Sequence, residues 1–194
     1  MSYLTQLALI VAAYIVGSIP TGYVLAYFSG IRDIRNHGSG NIGATNVARI
    51  LGFHYFVPVF VMDASKAALY LMAAKGYGCD EALVLTSALA LLAGNSYSLF
   101  LQLTGGKGFA TTTGILFVLK PGLALLLACL WMSTVAFTRT VGIASATTCA
   151  GLVVSGLYFF SSDVYLSLTF VCIGAWGIWR HVDNIKRYLR LPID

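Results

Sequence analysis

The stretch on which the fold turns is Gly108-Phe-Ala-Thr-Thr-Thr-Gly-Ile-Leu-Phe-Val-Leu-Lys-Pro-Gly122. It carries no charge until Lys120, and Lys120-Pro121-Gly122 is a strong break. A helical membrane crossing takes about 20 residues, so 108–119 is short for one and reads alternatively as a re-entrant piece. The distribution of positive charge decides between the two. If 108–119 crosses, one side of the membrane collects Arg32, Arg35, Arg49, Lys107, Arg139, Arg180, Lys186, Arg187 and Arg190, and the other keeps Lys75 and Lys120. If it does not, the C-terminal basic cluster falls on the outer side. Cytoplasmic loops carry the excess of Lys and Arg, so the crossing is favoured.

Outward from this stretch, gaps between charges mark further apolar runs. Residues 1–31 and 82–106 have no charge, and 140–179 contain only Asp163. We expect helices near 4–28, 52–74, 81–101, 108–119, 122–138, 141–160 and 163–180. The expected fold is an all-α polytopic membrane protein with seven transmembrane helices, N-terminus outside and C-terminus cytoplasmic. No low-complexity or Pro/Gly/Ser-rich linker divides the chain, so 1–194 reads as one domain.

Composition agrees. Of 194 residues 58% are hydrophobic and 10% charged, where soluble domains carry about 25% charged residues. Net charge is +5, but the basic residues sit in short loops between apolar runs, which speaks for orientation in a membrane and against nucleic acid. The N-terminal run has no basic segment before it and is long for the apolar part of a signal peptide, so it reads as an uncleaved first span. Cys79, Cys129, Cys149 and Cys172 form no CxxC pair, and buried membrane thiols are expected rather than disulfides or a zinc site.

The long polar segments, 29–51, 102–108 and 181–194, all fall on the cytoplasmic face. The first contains Asp33-Ile-Arg-Asn-His-Gly-Ser-Gly-Asn-Ile-Gly-Ala-Thr-Asn46, then Arg49. Glycines let backbone N–H groups approach an anion, and successive N–H groups in such turns form anion-binding concavities. Thr45-Asn46 can open a helix whose N-terminus adds to the same field, and Arg49 offers a bidentate cation. Gly38, Gly40 and Gly43 spell GxGxxG with Asp63 twenty residues on, but no βαβ unit surrounds them, so the dinucleotide reading is refused. An ordinary glycine turn is the plain alternative.

The second segment is Thr104-Gly-Gly-Lys-Gly-Phe-Ala-Thr-Thr-Thr113. It is not a Walker A loop, yet it has a flexible backbone, one lysine and hydroxyls entering a helix, and Lys107 suits a phosphate. A lysine in a membrane-surface turn is the alternative. In Asp63-Ala-Ser-Lys66 the i, i+3 spacing puts two charges on one helical face within a span. Intramembrane charges usually mark function, with a structural ion pair as the alternative; Lys66 is a candidate to meet a phosphate. In Arg180-His-Val-Asp-Asn-Ile-Lys-Arg187, His181 and Asn184 share a face, and an imidazole can take or give a proton near neutral pH. An interfacial histidine in a basic stop segment is the alternative. His37 and His54 read as structural or solvent-facing. No GxSxG and no acidic–histidine cluster suggests serine-hydrolase or metal chemistry.

Together these residues resemble a known family. Gly17-Ser-Ile-Pro20 with Tyr23, Asp33-Ile-Arg35, Gly38-Ser-Gly-Asn41, Gly43-Ala-Thr-Asn46, Arg49, Asp63 with Lys66, Gly105-Gly-Lys-Gly108 with Ala110-Thr111, and Arg180-His181 with Asn184-Ile185 resemble the acyl-phosphate:glycerol-3-phosphate acyltransferases (PlsY), in the family's order over nearly the whole chain. The resemblance implies a bacterial inner-membrane enzyme with its active site on the cytoplasmic face. It would transfer a fatty acyl group from acyl phosphate to the 1-hydroxyl of glycerol 3-phosphate, giving lysophosphatidic acid and phosphate, with no cofactor, no metal and no nucleic acid. Membrane lipid is the implied surroundings.

By matching positions, Ser39, Arg49, Lys107, His181 and Asn184 would contact glycerol 3-phosphate, with His181, Asn184 and Lys107 in the catalytic roles. Gly38, Gly40, Asn41, Gly43, Thr45 and Asn46 in one loop, and Gly105, Gly106, Gly108 and Thr111 in the other, would hold phosphate. Ser145 is a further carry-over. The attacking hydroxyl would give its proton to His181 or to a phosphate oxygen of the donor. The chain departs from the family in having Asn95 where histidine is frequent, Ala67 where glycine is frequent, and Leu191 near where a glycine often follows. A transporter for a phosphorylated solute would need a midplane site and usually repeats, and a lipid-headgroup-binding subunit would not need Gly105-Gly-Lys-Gly108.

Overall fold

The computed structural model describes residues 1–192, which are helical apart from turns and one isolated bridge between Ser98 and Thr104. The chain forms two compact units, Met1–Val118 and the part from Leu119 on.

In the first unit, α1 (Tyr3–Ser18) starts at Ser2, whose hydroxyl accepts from Thr5 N at 3.2 Å. The expected single helix over 4–28 is broken at Ile19-Pro20, and α2 (Thr21–Phe28) restarts after it. Proline has no N–H and disfavours helical backbone at the residue before it, so Ile19 turns extended and its carbonyl is released from the helix. A short helix α3 (Ala44–Leu51) opens after Gly43, as the Thr45-Asn46 reading anticipated. Then follow α4 (Phe56–Gly76), α5 (Glu81–Ser96, capped by Asp80 through Leu83 N at 2.9 Å) and α6 (Phe109–Leu119).

The contact of α1 with α5 is built on glycine. A Cβ on Gly17 would run into Leu91 O, and one on Gly94 into Tyr14 O. Gly114 of α6 sits equally close on Ala64 O of α4. Beside this packing Ala26, Ile34, Ile42, Val47, Val59 and Leu101 form a buried cluster. Ile34 and Ile42 thereby pin the otherwise polar segment between α2 and α3.

In the second unit α7 (Pro121–Thr138) begins with proline at a position where no N–H is needed. Next comes α8 (Val141–Val154), which runs into a π turn at Ser155–Phe159. Then come α9 (Val164–Arg180) and α10 (Val182–Tyr188). Asp163, the lone charge in its apolar run, is the cap of α9, accepting from Leu166 N at 3.0 Å.

Among the described residues, four segments are long and apolar enough to cross a membrane: Tyr3–Phe28, Phe53–Gly76, Pro121–Thr138 and Val141–Phe159. The helices α5, α6 and α9 are apolar but shorter. Expected helix 81–101 stops at Ser96 because residues 97–104 fold into a tight loop, with Gln102 and Leu103 both left-handed. Large apolar side chains such as Leu7, Val11, Leu69, Leu125 and Phe137 face outward, which is the pattern of a membrane protein, whose solvent is lipid. All four cysteines are free. Only Cys149 has the expected buried setting; Cys129 and Cys172 are exposed on the outer faces of their helices.

Candidate active site

In the first unit the segment 33–49 is organised by two side chains. Asn46, 2% exposed, accepts Ser39 N at 2.8 Å and Arg49 Nη1 at 3.1 Å through Oδ1, and donates Nδ2 to His37 O at 2.9 Å. One buried amide therefore closes the glycine loop and aims Arg49. Gly38 adopts φ +61°, and a Cβ there would strike Asn46 Oδ1, so this glycine is required on both counts.

The loop uses several of its own N–H groups. Besides Ser39 N, Gly40 N donates to His37 O and Gly43 N to Asn41 Oδ1, at 3.1 and 3.0 Å. Backbone donors spread along the whole of 38–46 were expected, and this internal bonding narrows them. The start of α3 has no side-chain cap, and Asn46 N and Val47 N already bond to Gly43 O, so Ala44 N and Thr45 N are the donors left at this helix start. Ser39 and Arg49 are exposed beside them, and His37 and His54 are solvent-facing as expected.

The second loop is tied to the first. Arg35 forms an ion pair with Asp33 at 2.7 Å and donates Nη1 to Thr104 Oγ1 at 2.9 Å, its guanidinium 5.6 Å from the Tyr23 ring centroid. The side-chain hydrogen bonds from Arg35 hold the Asp33 carboxyl below its ordinary 3.8, against a smaller opposing effect of burial. Thr104 leads directly into Gly105-Gly106-Lys107-Gly108. Gly105 lies so close to the α5 end that a Cβ would strike Asn95 O, and Gly106 N donates to Asn95 O at 2.9 Å. Gly108 has φ +81°. Thr111, in the first turn of α6, is fully buried, and its hydroxyl has no hydrogen-bond partner among the described residues. Other helical threonines, such as Thr113 and Thr148, donate to the carbonyl four residues back. A buried hydroxyl without a partner is a rare feature, and this one stands in the first turn of α6.

Lys66 takes the ion pair that the sequence offered as the alternative to a phosphate contact. Its ammonium pairs with Asp63 Oδ1 at 2.6 Å and donates to Ile19 O at 2.8 Å and Asn95 Oδ1 at 3.1 Å. Three N–H groups face three protein oxygens.

In the second unit His181 is buried, and its Nδ1 lies 2.8 Å from Gly177 O. A carbonyl only accepts, so Nδ1 is the donor in this contact. Asn184 stands one helical turn on and packs over the start of α8, where a Cβ on Gly142 would run into its amide. Ser145 is buried on α8 and lies 3.3 Å from Trp131 Nε1.

Residues 7–191 match the glycerol-3-phosphate acyltransferase family. The chain is 39% identical over 186 residues to the glycerol-3-phosphate acyltransferase of Aquifex aeolicus, covering 94% of this chain and 95% of that one. It is 37% identical over 190 residues to that of Desulforamulus reducens, covering 98% and 94%. This chain belongs to the glycerol-3-phosphate acyltransferase family. Among solved structures, it superposes with TM-score 0.87 and 38% identity on the glycerol 3-phosphate form of PlsY (YgiH), an integral membrane glycerol 3-phosphate acyltransferase, over 96% of this chain and 92% of that one. The lysophosphatidic acid form gives 0.84 and 36% with the same coverage.

For this acyltransferase-family chain, sequence reasoning found the loops but missed their fastening. Arg35 is visible in sequence as part of Asp33-Ile-Arg35, but no local pattern pairs it with Thr104, 69 positions away. The release of the Ile19 carbonyl had a signal, since proline inside an apolar run frees an acceptor that some donor must meet.

Proposed function

We propose that the protein transfers a fatty acyl group from an acyl phosphate to the 1-hydroxyl of glycerol 3-phosphate, releasing lysophosphatidic acid and phosphate. The observation that carries the reading is the joining of two glycine loops by Arg35, which sets two anion-suited turns side by side; both proposed substrates bear phosphate. The reading also takes the chain as a bacterial inner-membrane protein of seven spans with the loops on the cytoplasmic side, in line with the charge asymmetry.

In the proposed reaction the 1-hydroxyl oxygen attacks the acyl carbonyl carbon, the acyl C–O bond to phosphorus breaks, and phosphate leaves with the bridging oxygen. The donor is already activated, so no covalent acyl-enzyme is needed. The chain's task is to hold two mutually repelling dianions with the reacting atoms aligned, which in favourable cases is worth about 7–11 kcal/mol of barrier. Arg49, Lys107, the α3 N-terminus and the Thr111 hydroxyl supply the donors that offset this repulsion. Ser39 is the proposed hydroxyl contact to glycerol 3-phosphate, Asn184 its amide contact, and Ser145 an accessory one. His181 Nε2 is the proposed acceptor of the proton from the 1-hydroxyl, and a phosphate oxygen of the donor is the competing acceptor.

Two experiments test this. Purified protein is offered palmitoyl phosphate, palmitoyl-CoA or palmitoyl carrier protein with glycerol 3-phosphate. Product from palmitoyl phosphate alone is expected, and product from the thioesters but not the phosphate would sink the donor assignment. For the base, His181→Ala is expected to lower kcat by about 10²–10⁴-fold with glycerol 3-phosphate binding retained. Lost binding with kcat retained at saturation would remove the base role.

A further inference from the structure

The buried group at Asp63, Lys66 and Asn95 has no part in the roles above, and its geometry gives it one. A buried ion pair contributes little net stability, because desolvation cancels most of the attraction. This one is built for position. The Lys66 ammonium is fixed by oxygens from three helices: Asp63 of its own α4 at 2.6 Å, Ile19 at the end of α1 at 2.8 Å, and Asn95 of α5 at 3.1 Å. The Asp63 contact is a charge pairing rather than an aligned hydrogen bond. The Ile19 carbonyl, turned out of α1 ahead of Pro20, also accepts Thr21 N at 3.1 Å.

Asn95 faces the phosphate loop with its other groups. The backbone carbonyl of Asn95 accepts Gly106 N at 2.9 Å, and its side-chain Nδ2 lies against Gly106, 3.0 Å from where a Cβ would stand. The side chain is thus held between an anchored ammonium and the backbone that precedes Lys107. The neighbouring residues are fastened to the same helix end, Ser98 Oγ to Ser18 O at 2.6 Å and Tyr14 OH to Tyr97 O at 2.6 Å.

We propose that Lys66 and Asn95 are positioning residues: the Asp63–Lys66 pair fixes the Asn95 side chain, and Asn95 fixes the Gly105-Gly106 backbone that presents Lys107. This rests on the reading of 105–108 as a phosphate loop. It assigns Lys66 to placing that loop rather than to touching substrate.

The test compares Asn95→Leu with the exchange D63N/N95D, which moves the carboxylate to the other side of the ammonium and keeps net charge and both acceptors. Amide hydrogen exchange of 103–110 and the KM for glycerol 3-phosphate are read together. For Asn95→Leu we expect exchange of 103–110 faster by about tenfold or more, and KM raised by a similar factor, as a sub-ångström displacement of a binding group produces. In D63N/N95D both are expected within about threefold of wild type. Wild-type exchange and KM in Asn95→Leu would overturn the proposal, as would equal loss in the exchange variant. If Asn95→Leu does not fold, D63N/K66M removes both charges at once and must loosen 103–110 in the same way; unchanged exchange there overturns the proposal. A wild-type enzyme without acyltransferase activity would defeat the functional reading, while hydrogen exchange would still decide the positioning role.

Discussion

Arg35 shows how one side chain sets a site it does not itself enter. Its guanidinium bridges Asp33 and Thr104, and both glycine loops hang from that bridge. Asp33 is held below its ordinary carboxyl value by this partner. A carboxyl depressed in the folded state adds stability that is complete above its unfolded value of 3.8 and is lost as pH falls through the lower folded one. The Tm difference between wild type and Asp33→Asn should therefore be largest near neutral pH and shrink toward pH 3, modestly because the pair is partly exposed; a difference independent of pH would contradict the assignment. Lys107 is a proposed substrate contact. Lys107→Met should lower kcat/KM for glycerol 3-phosphate by about 10²-fold or more, the usual loss for one preorganised charge donor. The residue scale was also the most legible in sequence for Ser39, Arg49 and Lys107, because glycine next to isolated cations is a local signal. Asn46 was legible only as a member of the loop. That it is the buried knot of that loop depends on bonds to His37, Ser39 and Arg49, which spacing does not reveal.

At the scale of elements, the helices were legible from gaps between charges, and their ends from proline and capping residues. What charge spacing could not show was the break inside 4–28 or the unwinding after Ser96. The first is local and marked by Pro20, whose freed Ile19 carbonyl Lys66 meets; the second is tertiary, with Ser98 reaching back to Ser18. The α1–α5 seam yields a prediction of its own. Gly94→Ala should destabilise by about 1–3 kcal/mol, the cost of overpacking against backbone that cannot swing aside. Gly76, at the end of α4, has open space where a Cβ would go, so Gly76→Ala should be neutral or stabilising by up to about 1 kcal/mol. Thermal unfolding in one detergent compares the two, and equal effects would refute the seam.

At the scale of the whole molecule, membrane class followed from composition and the basic clusters. Span count did not follow as directly, because α6 has 11 residues and rises only about 16 Å, half a bilayer core. The proposed seven-span topology puts Lys120 outside and the 181–192 segment inside. With the native cysteines replaced, a cysteine at Lys120 should react with an impermeant maleimide on intact spheroplasts, and one at Arg187 only after lysis; the reverse pattern would refute the topology. The proposed activity is acyl transfer between two phosphate-bearing substrates. The most direct measurement gives the purified protein glycerol 3-phosphate and palmitoyl phosphate labelled with heavy oxygen at the bridging position, and follows both products by mass. We expect one lysophosphatidic acid per phosphate released, with the label in the phosphate. Phosphate release without lysophosphatidic acid, or label retained in the acyl product, would contradict it.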